Sequence, residues 1–353
     1  MAKKPSLWAE LDGLDGEVDE DYNSFDHVLR SSSPSFNWLF SNSHGLPLGL
    51  AAVLIGPAKS GKSLIVGNIL ETMQEEDPEA MAIVFDTEMR YSAQSKTKLA
   101  SRINRARVKT IETNVPSKIF DVIEHNVAAW QQKYGNKIKL IVIDSLSGIA
   151  GRRTLNADSV DQMQIGDRAA TLGEGLSRIL PIIRKYKIAL ICTAHVRAEI
   201  TDKAAIMRGE TLRANLPWAA KHMIEYWISI DQDKSKAGKV VDEGGSTDIK
   251  GHDLQLGHKI NCKMVESSLG PKNRMARFTL RYDCGISDVG EEVADLATEL
   301  GVIEKPNNVT YKFGEYAWRG RNNMIEALES NSELRKIIID KIKEEDLKNI
   351  VVS

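Results

Sequence analysis

Cysteine is scarce in this sequence, and its spacing excludes two kinds of small domain. The three cysteines, Cys192, Cys262 and Cys284, lie far apart and form no C-x-x-C pair. They therefore predict neither a zinc ribbon nor a disulfide framework, and such usage is typical of a reducing cytoplasm. No apolar run reaches the about 18 residues of a membrane span, and the opening residues MAKKPSLWAELDG contain no apolar signal core. We therefore expect no membrane span and no secretion.

Net charge is also small. The 353 residues carry a formal charge of −2, with 42% hydrophobic and 27% charged residues, as in an ordinary soluble protein. A charge so close to zero predicts no general affinity for nucleic acid, so any such affinity must come from local basic patches. The length suggests two domains, or one large domain with appendages.

The first 35 residues differ from the rest in charge. They contain three basic and eight acidic residues, show weak apolar periodicity and end in SSSPS. This composition favours a solvated, flexible arm. The alternative is an arm that docks on a neighbouring subunit through Trp8, Leu11 and Phe25.

From about residue 50 to 230, short apolar runs alternate with helical patterns. The runs are apolar throughout and rich in β-branched residues, as strands buried on both faces are. They lie at 51–55, 81–85, 139–143, 188–194 and 223–230, with predicted helices at 62–75, 92–105, 117–133 and 168–186. This order predicts βαβ units and a mainly parallel sheet flanked by helices. Beyond it we expect an exposed hairpin or loop at 231–253, strands at 256–265 and 275–282, and a small mixed domain at 290–353.

The turn after the first of these strands carries the most specific motif. LIGPAKSGKSL (54–64) matches the pattern G-x-x-x-x-G-K-[ST] between a predicted strand and a predicted helix. Its two glycines permit backbone conformations in which successive N–H groups point inward; Lys62 can reach the β- and γ-phosphates, and Ser63 can bind Mg²⁺. A glycine-rich turn without a ligand is the alternative, but the context favours a triphosphate cradle. Its residues are Gly56, Pro57, Ala58, Lys59, Ser60, Gly61, Lys62 and Ser63.

Three other strands end in polar residues, at the edge where ligands gather in open α/β sheets. In KLIVIDSLSG, Asp144 can hold the water shell of Mg²⁺, although Asp is also a common turn residue. In MAIVFDTEMR, Glu88 can face the γ-phosphate and orient a water, or simply begin a helix. In IALICTAHVRAE, His195 can sense the γ-phosphate, whereas a lone histidine is more often structural.

Taken in this order, the motifs resemble the RecA recombinases, and the phage UvsX type in particular, over about residues 30–345. SPSFNWLFSNSHGLPLG is similar to the family's opening segment, IVIDSL to its Walker B strand, and QIGDR to the end of its first DNA-binding loop. FDTE resembles the stretch with the catalytic glutamate, which implies that role for Glu88. CTAH stands where the family places its γ-phosphate sensor, which implies that role for His195. GVIEKPNNVTYKFGEYAWRGRNNMIEALESN resembles the C-terminal domain.

This resemblance implies the domain organisation. The expected parts are an acidic arm at 1–32, a RecA-like P-loop ATPase core at 33–288, and a small α+β C-terminal domain at 289–353. Within the core, two DNA-binding loops are implied at about 151–166 and 197–217.

The implied DNA contacts are of two kinds. Basic residues bind phosphates without reading bases, and apolar residues wedge between bases and stretch the strand. The positions are Arg152, Arg153, Met163, Arg197, Lys203, Ile206, Met207, Arg208 and Arg213. For Met163, Ile206 and Met207, packing under the loops is the alternative.

Two positions depart from the family pattern. RecA proteins extend two closely spaced lysines towards the γ-phosphate of an adjacent subunit, but here only Lys263 stands near that place. The alternatives for the second cation are Lys259, Lys272 and Arg274. The tyrosine that stacks on adenine in RecA has no clear counterpart, since its region offers Tyr91 and Ser95.

Together these features predict a DNA-dependent ATPase that acts with ATP and Mg²⁺ as a homologous-pairing recombinase. It would form a filament on single-stranded DNA and then engage homologous double-stranded DNA, in the cytoplasm of a bacterium or of an infected host cell. Mediator and single-strand-binding proteins are further expected partners. Two alternatives stay open: a hexameric RecA-fold helicase, and a paralogue that loads another recombinase. The intact Lys62, Ser63, Glu88 and Asp144 argue against the second.

Overall fold

A large, mainly parallel sheet with helices on both faces forms the centre of the protein. The computed structural model describes residues 27–90, 98–155, 166–198, 212–214, 216–242 and 253–351. Among the described helices, none combines the length and the apolar character that crossing a bilayer requires.

The strands of the described residues are, in chain order, β1 (Val28–Leu29), β2 (Leu46–Pro47), β3 (Ala51–Gly56), β4 (Met81–Asp86), β5 (Val108–Glu112), β6 (Ile138–Asp144), β7 (Ala189–Ala198), β8 (Leu212–Ala214), β9 (Tyr226–Gln232), β10 (Lys239–Val241), β11 (Gln255–Ser267), β12 (Met275–Arg281), β13 (Gly285–Ser287), β14 (Thr310–Phe313) and β15 (Tyr316–Arg319). The α-helices are α1 (Pro34–Trp38), α2 (Lys62–Glu76), α3 (Lys98–Arg102), α4 (Pro116–Tyr134), α5 (Arg152–Leu155), α6 (Asp167–Lys185), α7 (Trp218–Met223), α8 (Val289–Glu299), α9 (Arg321–Ser330) and α10 (Ser332–Val351).

The main sheet has the strand order β13-β12-β11-β9-β3-β7-β6-β4-β5, with β10 paired to β11 and β8 paired to β7. Strands β9, β3, β7, β6, β4 and β5 run parallel, while β11, β12 and β13 continue the sheet antiparallel. In this register Gly56 pairs with His195, and Asp86 pairs with Asp144. The carboxyl ends of β3, β4, β6 and β7 therefore meet at one edge.

Apolar side chains bury both faces of this sheet. Every residue of β3 is buried, as the absence of polar alternation in AAVLIG predicts. One face is covered by α2, whose Ile65, Ile69 and Met73 recur every four residues. The other face is covered by α4 and α6, where Ile119, Ile123 and Val127 show the same helical spacing. The helical spacing gives each helix one apolar face. These faces pack on opposite sides of the sheet, α2 on one side and the α4–α6 pair on the other.

The five predicted core strands and three of the four predicted helices are confirmed. The helix expected at 92–105 is wrong at its C-terminal end, because α3 ends at Arg102 and a 3-10 turn capped by the Asn104 side chain follows. Strand β5 was not predicted. It lies at the edge of the sheet and is only half-buried, so its sequence VKTIE lacks the continuous apolar run of the central strands.

The described core begins with a pair of short strands. Strand β1 pairs antiparallel with β2, and both residues of β1 are buried. Leu29 belongs to the same apolar cluster as the buried face of α2. Val28 and Leu29, which fall within the expected arm at 1–32, are thus buried, and the division at residue 32 stays a prediction. Ser33 caps α1 by accepting the backbone N–H of Phe36, 3.0 Å away, which continues the ordered segment.

A third apolar cluster lies among α8, α9, α10 and the β14–β15 hairpin. Two polar contacts tie this region to the rest of the core. Glu292 on α8 accepts hydrogen bonds from the Ser33 hydroxyl and the Ser35 amide, each at 2.6 Å. Arg274 donates to both carboxylate oxygens of Asp346 on α10, at 2.9 and 2.8 Å. The division at residue 289 stays a prediction.

Candidate nucleotide-binding site

The loop between β3 and α2 approaches its neighbours so closely that two of its positions require glycine. A Cβ at Gly56 would lie 2.4 Å from the carbonyl oxygen of Ile230 and 2.7 Å from Ser60 Oγ. A Cβ at Gly61 would lie 2.3 Å from Leu280 Cδ2, and Gly61 has a φ of +95°. Both positions exclude a side chain, so the loop backbone lies directly on β9 and β12.

Lys62 begins α2 and is buried, with 5% of its surface exposed. Its Nζ donates to the carbonyl oxygens of Gly56 at 3.0 Å and Pro57 at 2.7 Å. Burial lowers the pKa of Lys62 to about 8, while the charges of Asp144 and Glu88 act in the opposite direction. A cation folded back into the loop at a helix N-terminus gives this loop the electrostatics of an anion site.

Ser63 and Asp144 join the head of α2 to the end of β6. Ser63 Oγ donates to Asp144 Oδ2 at 2.7 Å, and the Thr193 hydroxyl donates to Asp144 Oδ1. A hydroxyl and a carboxylate are the oxygen donors that Mg²⁺ prefers. Among the described residues, no three His, Cys, Asp or Glu side chains form a metal cluster. The hydroxyl of Ser63 and the carboxylate of Asp144 fit a Mg²⁺ ion that shares its coordination with phosphate oxygens and water.

Glu88 and His195 meet beside this pair of residues. Glu88 Oε1 lies 2.6 Å from His195 Nε2, and it accepts a hydrogen bond from Ser145 Oγ at 2.7 Å. Burial raises the pKa of Glu88, but the hydrogen bonds from Ser145 and His195 and the charge of Arg90 outweigh it and lower that pKa. The result is a partly buried carboxylate, ionised at neutral pH. The backbone N–H of His195 donates to Ser147 Oγ at 2.9 Å, which fixes the histidine at the sheet edge.

A cavity of about 500 Å³ opens beside the loop. One side consists of residues 59–64, and the rest is formed by Gln232, Gln255, His258 and Tyr282. The sequence did not identify these four residues, because no local motif marks them and they come from β9, β11 and the turn after β12. The only available signal was the polar residues that interrupt the apolar pattern of those strands.

The predicted contact from a neighbouring subunit is not tested within one chain. Lys263 is exposed on β11 and does not line the cavity. Of the alternatives, Lys259 pairs with Glu291 and Lys272 pairs with Glu266. The side chain of Arg274 is 10% exposed and pairs with Asp346, and these three alternatives stay predictions.

The segment expected to form the first DNA-binding loop is described only at its ends. Arg152 and Arg153 are exposed on α5. Asp167, the first residue of α6, accepts hydrogen bonds from the backbone N–H of Thr154 at 2.9 Å and from its hydroxyl at 3.1 Å. These hydrogen bonds join Thr154, near the start of the expected loop, to Asp167, directly after its end.

Two strands stand at the ends of the expected second DNA-binding loop. Strand β7 continues to Ala198, and it pairs antiparallel with β8 so that Arg197 stands opposite Arg213. A β-ladder thus brackets the expected loop at 197–217, whose bounds stay a prediction. The predicted DNA contacts Met163, Lys203, Ile206, Met207 and Arg208 lie outside the described residues, as do Trp8, Leu11, Phe25, Tyr91 and Ser95.

The fold and the site define a mixed α/β protein whose large, mainly parallel sheet, flanked by helices, fits a RecA-like core. No family model matches the chain. It is 24% identical to Protein RecA of Wolbachia pipientis subsp. Culex pipiens (strain wPip) over 302 residues, which are 85% of this chain and 76% of the relative. Protein RecA of Paracoccus denitrificans is 25% identical over 303 residues, again 85% of this chain and 76% of the relative. Protein RecA of Mycoplasmopsis pulmonis (strain UAB CTIP) is 26% identical over 305 residues, or 86% of this chain and 80% of the relative.

These similarities support placing the chain among RecA-family proteins. They span most of the described structure and most of each relative. The more specific resemblance to the phage UvsX type stays a prediction.

Proposed function

We propose that this protein is an ATP-dependent recombinase of the UvsX type, which assembles on single-stranded DNA and pairs it with homologous duplex. The observation that carries the proposal is the meeting of four strand ends at one sheet edge. There the buried Lys62 and the hydrogen-bonded Ser63 and Asp144 lie together, close to the contacting pair Glu88 and His195. Lys62 and Ser63 also line the adjoining cavity. This combination suits a nucleoside triphosphate and its hydrolysis.

In the proposed complex, the phosphates of ATP lie on the loop at residues 56–63. The backbone N–H groups and the Lys62 ammonium bind their oxygens. Ser63 and Asp144 would hold Mg²⁺, which would neutralise charge on the phosphate oxygens. The nucleoside then lies in the adjoining cavity, where Tyr282 offers an aromatic ring that is 42% exposed.

Hydrolysis would use the Glu88 carboxylate. Glu88 orients a water for in-line attack on the γ-phosphorus and accepts its proton, while the bond to the β-phosphate oxygen breaks. The products are ADP and inorganic phosphate. The hydrogen bond from Ser145 Oγ at 2.7 Å keeps this carboxylate oriented.

His195 would connect the nucleotide to the DNA. Its Nε2 contacts Glu88 in this structure, and a γ-phosphate beside Glu88 would compete for the same ring nitrogen. Because His195 stands on β7, any displacement would pass along this strand to its ladder with β8, which brackets the second predicted DNA loop. This would couple the bound nucleotide to DNA affinity.

Binding to DNA would depend on the phosphate backbone. Arg152 and Arg153 are exposed on α5, beside the expected first loop. The exposed Arg152–Glu174 pair, at 3.3 Å, is a weak competitor for a DNA phosphate. Sequence matching would then be done by base pairing between DNA strands, while the protein holds their backbones.

The proposal includes a helical homo-oligomer with ATP between subunits, to which Lys263 of an adjacent copy would contribute a cation. It also includes cytoplasmic action, with mediator and single-strand-binding proteins as further partners. The similarity to RecA proteins supports this class of activity.

The decisive experiment measures ATP hydrolysis with and without single-stranded DNA, and strand exchange between homologous DNAs with a heterologous duplex as control. We expect DNA-stimulated hydrolysis and exchange only with the homologous duplex. Electron microscopy with ATP and single-stranded DNA separates this proposal from the ring-shaped helicase, which would form closed rings instead of filaments. Hydrolysis without exchange would leave an ATPase and exclude the recombinase.

A further inference from the structure

Three residues on the wall of the cavity form a chain of hydrogen bonds. Gln255 Nε2 donates to the Tyr282 hydroxyl at 3.1 Å, and this hydroxyl lies 3.1 Å from His258 Nδ1. Because the Tyr282 oxygen accepts from the amide, its own proton is available for the imidazole. The rings of His258 and Tyr282 are 5.4 Å apart and tilted by 56°. The phenol of Tyr282 is therefore held at its polar end from two sides.

The exposure of these rings differs sharply. Tyr282 is 42% exposed at the cavity, whereas His258 is 2% exposed behind it. Burial lowers the pKa of His258, so the ring is neutral at neutral pH. Its Nε2 has no hydrogen-bond partner among the described residues. An apolar side chain would fill this position at a lower desolvation cost, so the contact with Tyr282 is the distinctive gain from a histidine here.

The backbone of the Tyr282 turn does not depend on His258. The N–H of Tyr282 donates to the carbonyl oxygen of Leu256 at 2.8 Å, and that of Leu99 donates to the carbonyl oxygen of Asp283 at 3.1 Å. Arg102 Nη2 donates to the carbonyl oxygen of Cys284 at 2.9 Å. Loss of the imidazole would thus leave the turn in place and release only the orientation of the Tyr282 ring.

The cavity places this ring within reach of a nucleoside. The same cavity of about 500 Å³ is lined on its other side by residues 59–64. Its size is that of a small-molecule site, and a triphosphate on the loop leaves the remaining volume to the sugar and the base. An aromatic ring fixed in one orientation gives a base a preorganised stacking surface.

We propose that His258 is a positioning residue for nucleotide recognition, which acts with Gln255 to hold Tyr282 against the base of the bound nucleoside triphosphate. This inference rests on the proposed function, because it assumes a nucleotide on the loop. According to this proposal, His258 raises the affinity for the base of the nucleotide and does not change the affinity for its phosphates.

The experiment compares two probes, ATP with Mg²⁺ and inorganic tripolyphosphate with Mg²⁺, by calorimetry on the full chain. The variants are His258→Leu, Tyr282→Phe and the double variant, with His258→Gln as a conservative replacement that can still accept the tyrosine proton. His125→Leu is the matched control, because His125 is exposed on α4, away from the cavity. Thermal unfolding of each variant checks that it is folded.

We expect His258→Leu to weaken ATP binding about 3- to 10-fold, the loss of one hydrogen bond, and to leave tripolyphosphate binding unchanged. Tyr282→Phe should weaken ATP binding similarly. The double variant should lose no more than either single variant, because both break the same chain, and His258→Gln should restore most of the affinity. In steady state, KM for ATP should rise while kcat stays near the wild-type value.

Two results would overturn the inference. Equal losses for ATP and tripolyphosphate would show that His258 only supports the loop, and unchanged ATP affinity would show that Tyr282 needs no such support. If the wild-type protein bound neither probe, the proposed function itself would fail. Tripolyphosphate binding by the wild type, without any preference for ATP, would reject the base contact alone.

Discussion

Glu88 Oε1 lies 2.6 Å from Nε2 of His195. Glu88 follows β4 and His195 lies within β7, two strands that are separated in the sheet by β6. The sequence assigned these residues two independent roles, hydrolysis and γ-phosphate sensing. Their contact means that the residues expected to perform these two roles are hydrogen-bonded to each other. A ligand that draws His195 away also changes the surroundings of the carboxylate that would orient the attacking water.

The first prediction concerns this carboxylate. Glu88→Gln keeps a side chain that can accept from Ser145 but removes the negative charge that would take the proton of water. We expect kcat for ATP hydrolysis to fall about 100-fold or more, while ATP affinity changes less than about threefold. Steady-state kinetics and calorimetry measure the two quantities. Glu112→Gln, an exposed glutamate at the end of the neighbouring β5, is the control; an equal loss of kcat there would contradict the assignment.

The second prediction concerns the buried ammonium of Lys62. Lys62→Ala removes the cation from the loop, so ATP should no longer raise the affinity for single-stranded DNA. Fluorescence anisotropy of a labelled oligonucleotide, with and without ATP and Mg²⁺, measures this change. Lys118→Ala, an exposed lysine on α4, should keep the wild-type response. Normal ATP-dependent DNA binding by Lys62→Ala would reject the triphosphate cradle.

The third prediction concerns the exposed guanidinium of Arg153. If it contacts a DNA phosphate, Arg153→Ala should weaken binding to oligonucleotides of different sequence to the same extent. It should also reduce the slope of log K against log salt by about 0.7, the value for one phosphate contact on a single strand. Lys336→Ala, an exposed lysine on α10, provides the control. A loss of affinity that varies with base sequence would argue against a phosphate contact.

The fourth prediction concerns stability at the join between α10 and the core. Asp346 is 8% exposed, pairs with Arg274 and lies 3.1 Å from His44 Nε2. Asp346→Ala leaves the buried guanidinium without its carboxylate and should lower the free energy of unfolding by about 3–5 kcal/mol. Asp340→Ala on the same helix breaks only the exposed pair with Lys343 and should lower it by less than about 1 kcal/mol. Urea denaturation measures both values, and similar losses would contradict the buried pair.

The fifth prediction concerns the pH dependence that Glu292 confers. Burial raises its pKa from 4.5 to about 7, against the hydrogen bonds from Ser33 and Ser35. The folded protein therefore holds this proton more firmly than the unfolded chain. The stabilisation is complete below about pH 4.5 and is lost as pH rises through about 7, with a total on the order of 3 kcal/mol.

The Glu292→Gln variant does not titrate at this position. The difference in unfolding free energy, wild type minus variant, should therefore fall between about pH 5 and about pH 8. Glu326→Gln, an exposed glutamate on α9, should follow the wild-type profile. A difference that stays constant across this range would show that Glu292 does not titrate there.

The sequence by itself determined the elements whose signals are local. Uniformly apolar runs such as AAVLIG identified strands buried on both faces, and the spacing of Ile119, Ile123 and Val127 identified an amphipathic helix. The loop motif is local as well, since Gly56, Gly61 and Lys62 lie within seven consecutive residues of one loop. Such patterns are readable because burial and hydrogen bonding repeat with a fixed period along the chain.

Only the tertiary structure decided which distant residues meet. The half-exposed edge strand β5 has no strong periodic signal, and strand β1 is defined by its pairing with β2. The cavity wall of Gln255, His258 and Tyr282, like the contact between Glu88 and His195, joins residues from separate strands. Strand order and register bring these side chains together, and both are set by packing across the whole sheet, which no local stretch of sequence encodes.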